Sequence, residues 1–395
     1  MQLIFWCAAG LLIYTFVLFP AIIVARGLFR READAAPGPL PMVSVLIAAH
    51  NEENYLSDRI NNILDLDYPA DRLEIIVASD GSEDATEDIA RGFAERGVKL
   101  LSLPRGGKCA ALNAAFEAAA GSVLVFTDAN TVFAGDAVRA LVAPLSDPEV
   151  GGVAGDQIYV RDDARSLTAD GELAYWSFDR AMKELQSRAG NVTSATGAIY
   201  AIRRDLFEHV PLDVADDFQI STGVVAQGYK LKFARDAKAF EPVAVDAGVE
   251  YQRKVRVATQ GLRGVVLRRE LFNPLRFGFY SIQLFSHKVL RRLSAVPMLA
   301  LLLAGGWLWR SGAVYQLAML LQAAFYALAV IGFATRRSAI GTSKAFSIPF
   351  YFCMVHTAAL VAALNVVRGA RVPRWTPERY QPRPVAHMDA EGFDL

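Results

Sequence analysis

Cysteine is scarce in this sequence of 395 residues, occurring only as Cys7, Cys109 and Cys353. Two of the three lie in strongly apolar stretches and none has metal-ligand spacing, so neither a disulfide framework nor a structural zinc site is expected. Net charge is absent as well, because 41 Lys and Arg residues balance 41 Asp and Glu. A balanced chain gives no electrostatic footprint for nucleic acid, and no nucleic-acid partner is expected. Also missing are a G-x-G-x-x-G run and a P-loop, which leaves a dinucleotide fold or a P-loop nucleotide hydrolase without local support. The chain carries neither an internal repeat nor a low-complexity segment.

What the sequence has in plenty is apolar surface, with 53% hydrophobic residues. That share is high for a soluble globular protein, and the length exceeds what one core usually organises. The apolar residues gather at the two ends. Residues 3–25 carry no charge and exceed the roughly 20 residues that cross a bilayer. A cleaved signal peptide is the alternative, but no basic region precedes the run, it is too long, and Arg26, Arg30 and Arg31 follow it. An anchor with Met1 outside and the following domain in the cytosol is expected. Three further candidates lie near 293–309, 313–334 and 346–367, with Arg336, Arg337 and Lys344 marking a cytosolic loop between the last two. The third would carry the basic tail RGARVPRWTPER outside, so either it does not fully cross or the tail is an exception to the rule.

Between the ends, strands and helices alternate. VSVLIAA (43–49), LEIIVASD (73–80), VKLLSL (98–103) and SVLVFTD (122–128) read as strands. Helices are expected from Glu53 to about Leu66, from Glu83 to Ala94, from Lys108 to Ala119 and from Gly135 to Leu145. The alternation predicts a parallel, doubly wound sheet, and such sheets bind ligands beyond the carboxyl ends of their strands. His50 and Asn51 end the first strand, Asp80 the second and Asp128 the fourth. Each has a duller role open to it: Asp80 as a turn residue, Asn51 or Asp128 as a helix cap. Polar groups at successive strand ends together point to a site. Lys108, after Gly106 and Gly107, begins a helix whose N-terminus favours an anion such as a diphosphate. A solvated lysine is the plain alternative.

The motifs HNEE (50–53), ASDGSED (78–84), GKCAALN (107–113), TDAN (127–130) and ADDF (215–218), in that order, resemble family 2 glycosyltransferases. The resemblance covers about residues 43–260, and the flanking apolar segments resemble those of the membrane-integrated, polysaccharide-synthesising members. It implies an α/β GT-A fold, Rossmann-like with a mostly parallel sheet, as a cytosolic domain beside an α-helical transmembrane region. It also implies inverting transfer from a nucleotide-diphosphate sugar, of which a UDP-sugar is the expected kind. By the resemblance, His50, Asn51, Glu53 and Asp80 hold the base and ribose, and Lys108 and Asp128 meet the diphosphate. A divalent cation, Mg or Mn, would sit on Asp128 and Asn130, where this sequence has an amide in place of the family's second carboxylate. Such a cation acts as a Lewis acid on the leaving group and takes hard oxygen ligands.

Asp217 stands where the family places its catalytic carboxylate, preceded by Asp216 in place of the usual glutamate. Adjacent acids can raise one another's proton affinity, which suits a general base; a first-turn acid on the following helix is the alternative. Gly197 would leave room for an acceptor sugar. Processive synthases carry Gln-x-x-Arg-Trp near the membrane, and here the stretch reads EYQRKVRVATQG (250–261). Gln252, Arg253 and Arg256 could still meet acceptor or diphosphate, but the stacking tryptophan is missing, which argues against a polymerase. The basic, aromatic stretch to Arg292 suits interfacial helices on anionic lipid.

The expected organisation is an anchor over 1–30, a GT-A domain over 40–250, interfacial helices over 251–292, transmembrane helices over 293–368 and a polar tail over 369–395. The expected partners are a nucleotide-sugar donor, a lipid-linked or polysaccharide acceptor and membrane lipids, at the inner (plasma) membrane. A processive synthase, a glycolipid-forming transferase and an inactive sugar-binding subunit are the other possibilities.

Overall fold

A computed structural model describes residues 1–30, 38–160, 169–242, 247–336, 338, 341 and 343–370. The polar tail beyond 370, Arg31 and Arg337 lie outside the described residues. The chain divides into two units, one holding residues 1–28, 169–182 and 247–370, the other 29–30, 38–160 and 183–242. The division falls inside the helix Ala169–Ala189. A single domain over 40–250 therefore differs from the structure, in which residues 169–182 belong to the helical unit. There Gly171 leaves room for Tyr351, whose Cβ would lie 2.4 Å from a Cβ at that glycine.

The sheet unit contains eight strands: β1 Val43–Ala49, β2 Leu73–Asp80, β3 Val98–Leu103, β4 Val123–Thr127, β5 Val132–Phe133, β6 Val150–Val160, β7 Tyr200–Arg203 and β8 Lys230–Pro242. They form one sheet in the order β3-β2-β1-β4-β7-β6-β8-β5. The first four are parallel, in register Val43↔Leu73, Val43↔Val123 and Ile75↔Val98. Every residue of β1 is buried, as expected of a strand covered on both faces. Beyond β4 the sheet is mixed: β7 runs antiparallel to both β4 and β6, β8 parallel to β6, and β5 antiparallel to β8.

Helices cover the sheet with short apolar stripes. Leu56, Ile60 and Ile63 face the core from Leu56–Leu64, and Ala111, Leu112 and Ala115 from Lys108–Ala118. The first of these starts at Leu56, three residues after the expected Glu53. The preceding residues form a turn instead, with Asn51 in the left-handed region at φ 56. The fourth expected helix is shorter too, spanning Ala137–Val142 before a tighter turn over Ala143–Ser146.

In the helical unit, Gln2–Leu28, Ala313–Ala334 and Lys344–Val367 are each long and apolar enough to cross a membrane. The segment expected at 293–309 is the 13-residue helix Ala295–Trp307. At 1.5 Å per residue it reaches about 20 Å, short of the roughly 30 Å hydrocarbon core. It qualifies as a span only jointly with Phe279–Leu293, from which it bends by 53°. Part of the stretch assigned to the interface, 251–292, thus shares the character of a broken span. The N-terminal helix packs on Ala295–Trp307 and the residues after it, with the Phe5 ring edge-on to Tyr315 at 4.8 Å.

The helix Ala247–Leu267 packs along Lys344–Val367 and holds a charged cluster. Glu172 and Glu250 are wholly buried there. Arg253 reaches Glu172 at 2.8 Å and Glu250 at 2.7 Å, and Lys254 reaches them at 3.2 and 2.8 Å. Two buried carboxylates against two cations make a neutral group, which is how buried charge is tolerated.

Candidate active site

The site lies beyond the carboxyl ends of β1, β2 and β4, all within the sheet unit. At its centre Lys108 reaches Asp128 Oδ1 at 2.7 Å and Asp216 Oδ2 at 3.2 Å. Burial alone would lower the affinity of this amine for its proton, but the charges of Asp128, Asp216 and Asp217 outweigh it and hold the pKa well above the ordinary value. Lys108 opens its helix after Gly107, whose φ of 97° a residue with a side chain rarely adopts. Gly197 flanks the pair: a Cβ there would lie 3.4 Å from Asp128 Oδ2 and 3.7 Å from Lys108 Nζ. The space at Gly197 is therefore bordered by one carboxylate oxygen and one ammonium.

Asp216 and Asp217 open the helix Asp216–Ala226. Phe218 N–H donates to Asp217 Oδ1 at 2.7 Å. Ser221 hydroxyl donates to the Asp217 carbonyl at 2.6 Å while accepting from Ala195 N–H at 3.0 Å. One serine thereby ties the loop that leads to Gly197 to the helix that begins with the paired acids. Beneath them Tyr200 is fully buried and stacked on Phe126 at 4.7 Å, and its hydroxyl has no hydrogen-bond partner among the described residues. Burial, then the negative charges of Asp216, Asp217 and Asp128, raises its pKa well above the usual phenol value. Burial also pushes the Cys109 thiol up to about 12.

Of the strand-end residues, Asp80 and Asn51 hold neighbouring backbone, as does Glu53. Asp80 is 1% exposed and accepts at Oδ1 from the N–H groups of Gly106 and Gly107, at 2.6 and 2.8 Å, while pairing with Arg105. It thus shapes the loop that delivers Lys108. Asn51 Oδ1 accepts from Glu83 N–H at 2.8 Å, and Glu53 Oε2 from Ala85 N–H at 3.1 Å. Both side chains order the 82–85 turn. His50 is buried at the end of β1, where burial and then the nearby Arg105 lower its pKa. Asn130 is exposed on the turn after β4.

Asp128, Lys108, Asp216 and Gly197 come together, with Asp217 beside them. Gln252, Arg253 and Arg256 belong to the helical unit, where the buried Glu172 and Glu250 engage Arg253. Among the described residues no set of three His, Cys, Asp or Glu side chains forms a metal cage.

Sequence reasoning passed over three polar residues here: Glu52, Arg105 and Arg59. Glu52 is buried, and desolvation, then Asp128 and Asp84, raises its pKa to about 8. Its position inside HNEE was a usable signal. So was Arg105 just ahead of the Gly106–Gly107 pair. Arg59 interrupts an apolar helical stripe, which was the mark of a buried charge.

Residues 44–210 match the family profile described as Glycosyl transferase family 2. The chain is 30% identical over 244 residues to the probable glycosyltransferase YdaM of Bacillus subtilis (strain 168), covering 58% of this chain and 57% of that protein. It is 25% identical over 254 residues to the poly-beta-1,6-N-acetyl-D-glucosamine synthase of Staphylococcus aureus (strain MSSA476), covering 62% of this chain and 60% of that one. The chain thus spans less than two thirds of the length of these curated relatives. Among solved structures, the mannosyltransferase PcManGT from Pyrobaculum calidifontis, in complex with GDP-Man and Mn2+, superposes with a TM-score of 0.69 at 24% identity, over 93% of this chain and 100% of that one. That likeness concerns the fold: residues 44–210, which match the family 2 profile, lie in a GT-A-like domain.

Proposed function

We propose that the chain transfers a sugar, with inversion, from a nucleotide-diphosphate donor to a lipid-linked saccharide or growing polysaccharide at the cytosolic face of the plasma membrane. The observation that carries this reading is Lys108 held between Asp128 and Asp216, with Gly197 alongside. In the reaction an acceptor hydroxyl attacks the anomeric carbon and gives its proton to Asp217. The bond from that carbon to the diphosphate oxygen breaks, and its electron pair leaves with the nucleotide diphosphate. Asp216 is ion-paired with Lys108 at 3.2 Å, which makes it the poorer base of the two. Lys108 is drawn from its carboxylates to the diphosphate as negative charge develops there.

Asp128 Oδ2, next to Gly197, would hold a divalent cation, with Asn130 as an auxiliary ligand. Such a cation, Mg or Mn, would supply Lewis-acid neutralisation of the leaving group. His50, Asn51, Glu53 and Asp80 are the residues we assign to the nucleotide end, with a UDP-sugar as the expected donor. They act there chiefly by holding the turns that face it. Gln252 and Arg256 remain our candidates for acceptor or diphosphate contact.

A processive synthase is the second reading, favoured by the polymer named for the Staphylococcus aureus relative. The missing tryptophan in EYQRKVRVATQG favours single transfer. The Asp217→Asn variant tests the assigned base. Donor turnover should fall by about 100-fold or more while nucleotide-diphosphate binding persists. Undiminished turnover would show that the base lies elsewhere.

A further inference from the structure

Arg59 is the largest of the wholly buried side chains among the described residues. It lies in the helix Leu56–Leu64, on the face that carries Leu56, Ile60 and Ile63. A guanidinium in a sheet core is costly unless well paired, yet both of its hydrogen bonds go to neutral side chains. Nη1 donates to Asn62 Oδ1 at 2.6 Å and Nη2 to Thr127 Oγ1 at 2.9 Å. The guanidinium carbon stands 3.9 Å from the Phe133 ring centroid, and Nε has no hydrogen-bond partner among the described residues. Burial pushes its pKa down to about 9, against the opposing negative charges of Asp128 and Glu241.

The two bonds matter because of what they direct. With Nη2 donating to it, the Thr127 hydroxyl must spend its one hydrogen on a carbonyl. Ala198 O lies at 2.9 Å and Asp128 O at 3.3 Å. That hydroxyl therefore joins the end of β4, which carries Asp128, to the loop that carries Gly197. On the other side, Asn62 exchanges two hydrogen bonds with the Phe133 backbone, at 2.8 and 2.9 Å, and clamps β5 just after Asn130. Arg59 is thus the common support of both segments that border the diphosphate space.

We propose that Arg59 is a positioning residue for the nucleotide-diphosphate end of the site. It sets the direction of the Thr127 hydroxyl, fixes Asp128 and the Gly197–Ala198 backbone through it, and adds positive potential where the diphosphate arrives. This rests on the glycosyltransferase reading above.

The test uses the full chain in lipid nanodiscs as wild type, Arg59→Met, Arg59→Lys and Thr127→Val. Three quantities are read: thermal midpoint, donor kcat and KM, and Mn2+ binding by electron paramagnetic resonance with UDP present. Losing such a support should weaken kcat or Mn2+ affinity on the order of 10- to 100-fold in Arg59→Met and Thr127→Val, with donor KM changed far less. Arg59→Lys, which keeps the charge but loses the fork, should recover part of the Mn2+ affinity and less of kcat. A folded Arg59→Met with wild-type kcat and Mn2+ affinity overturns the proposal. Should that variant not fold, Thr127→Val, close in volume, decides by the same two readouts. If wild type releases nucleotide diphosphate from no donor, the transferase reading fails, and Mn2+ binding by Thr127→Val still decides the positioning role.

Discussion

Lys108, with three aspartates around it, sits in an electrostatic balance that a diphosphate can replace. An ammonium this well paired keeps its charge at any physiological pH, so it can follow a developing anion without a protonation step. Glu52 is the opposite case, a carboxyl that burial keeps protonated at neutral pH. Its pKa is about 8 in the fold against an ordinary 4.5. A folded state that holds its proton more tightly than the unfolded chain loses stability as pH rises. This loss begins above about 4.5 and is complete just above 8. Glu52→Gln should remove it, so without divalent cations its thermal midpoint should exceed that of wild type most at pH 9 and converge on it near pH 5. Parallel midpoint curves across that range would contradict the account. At this scale the sequence was readable where residue type and place coincide, as with Lys108 after two glycines. It did not give the partners of Asn51 and Glu53, whose side chains turn to the backbone at 83–85. Sequence gives the residue at a strand end but not which neighbouring N–H claims its oxygen.

At the scale of elements, the parallel half of the sheet was legible because its strands are continuous apolar runs. The mixed half was not. β5 has two residues and β7 four, too short for any periodicity to register. Their place comes from ladders between distant residues, such as Val123↔Arg203 and Val132↔Phe240. The helix Ala247–Leu267 was legible as basic and amphipathic, but its pairing with Glu172 was not, since 81 residues separate Arg253 from that carboxylate. Glu172→Ala leaves Arg253 and Lys254 with one buried counter-charge. Losing one partner of a buried ionic group costs about 3–5 kcal/mol. The variant should unfold at a clearly lower temperature in nanodiscs, and Lys254→Met on top of it should recover part of the loss by removing the surplus cation. A single variant as stable as wild type would mean that the cluster is open to water.

At the scale of the molecule, helices long and apolar enough to cross a membrane accompany, in one chain, a GT-A-like domain that matches the family 2 profile over residues 44–210. Apolar length alone made Gln2–Leu28, Ala313–Ala334 and Lys344–Val367 readable. It failed for the bent pair at Phe279–Trp307, because a 53° bend between two short helices leaves no mark on composition. Joining such a domain to apolar helices of this length is what the proposed transfer to a lipid-linked or exported saccharide requires.

The most direct measurement is nucleotide-diphosphate release by the purified full chain in nanodiscs, across a panel of UDP-, GDP- and other nucleotide sugars, with and without Mg2+ or Mn2+. The account predicts that at least one donor is turned over, that the rate falls on chelation of the cation, and that Asp217→Asn abolishes it. No release from any donor, with lipid and cation both present, would contradict it.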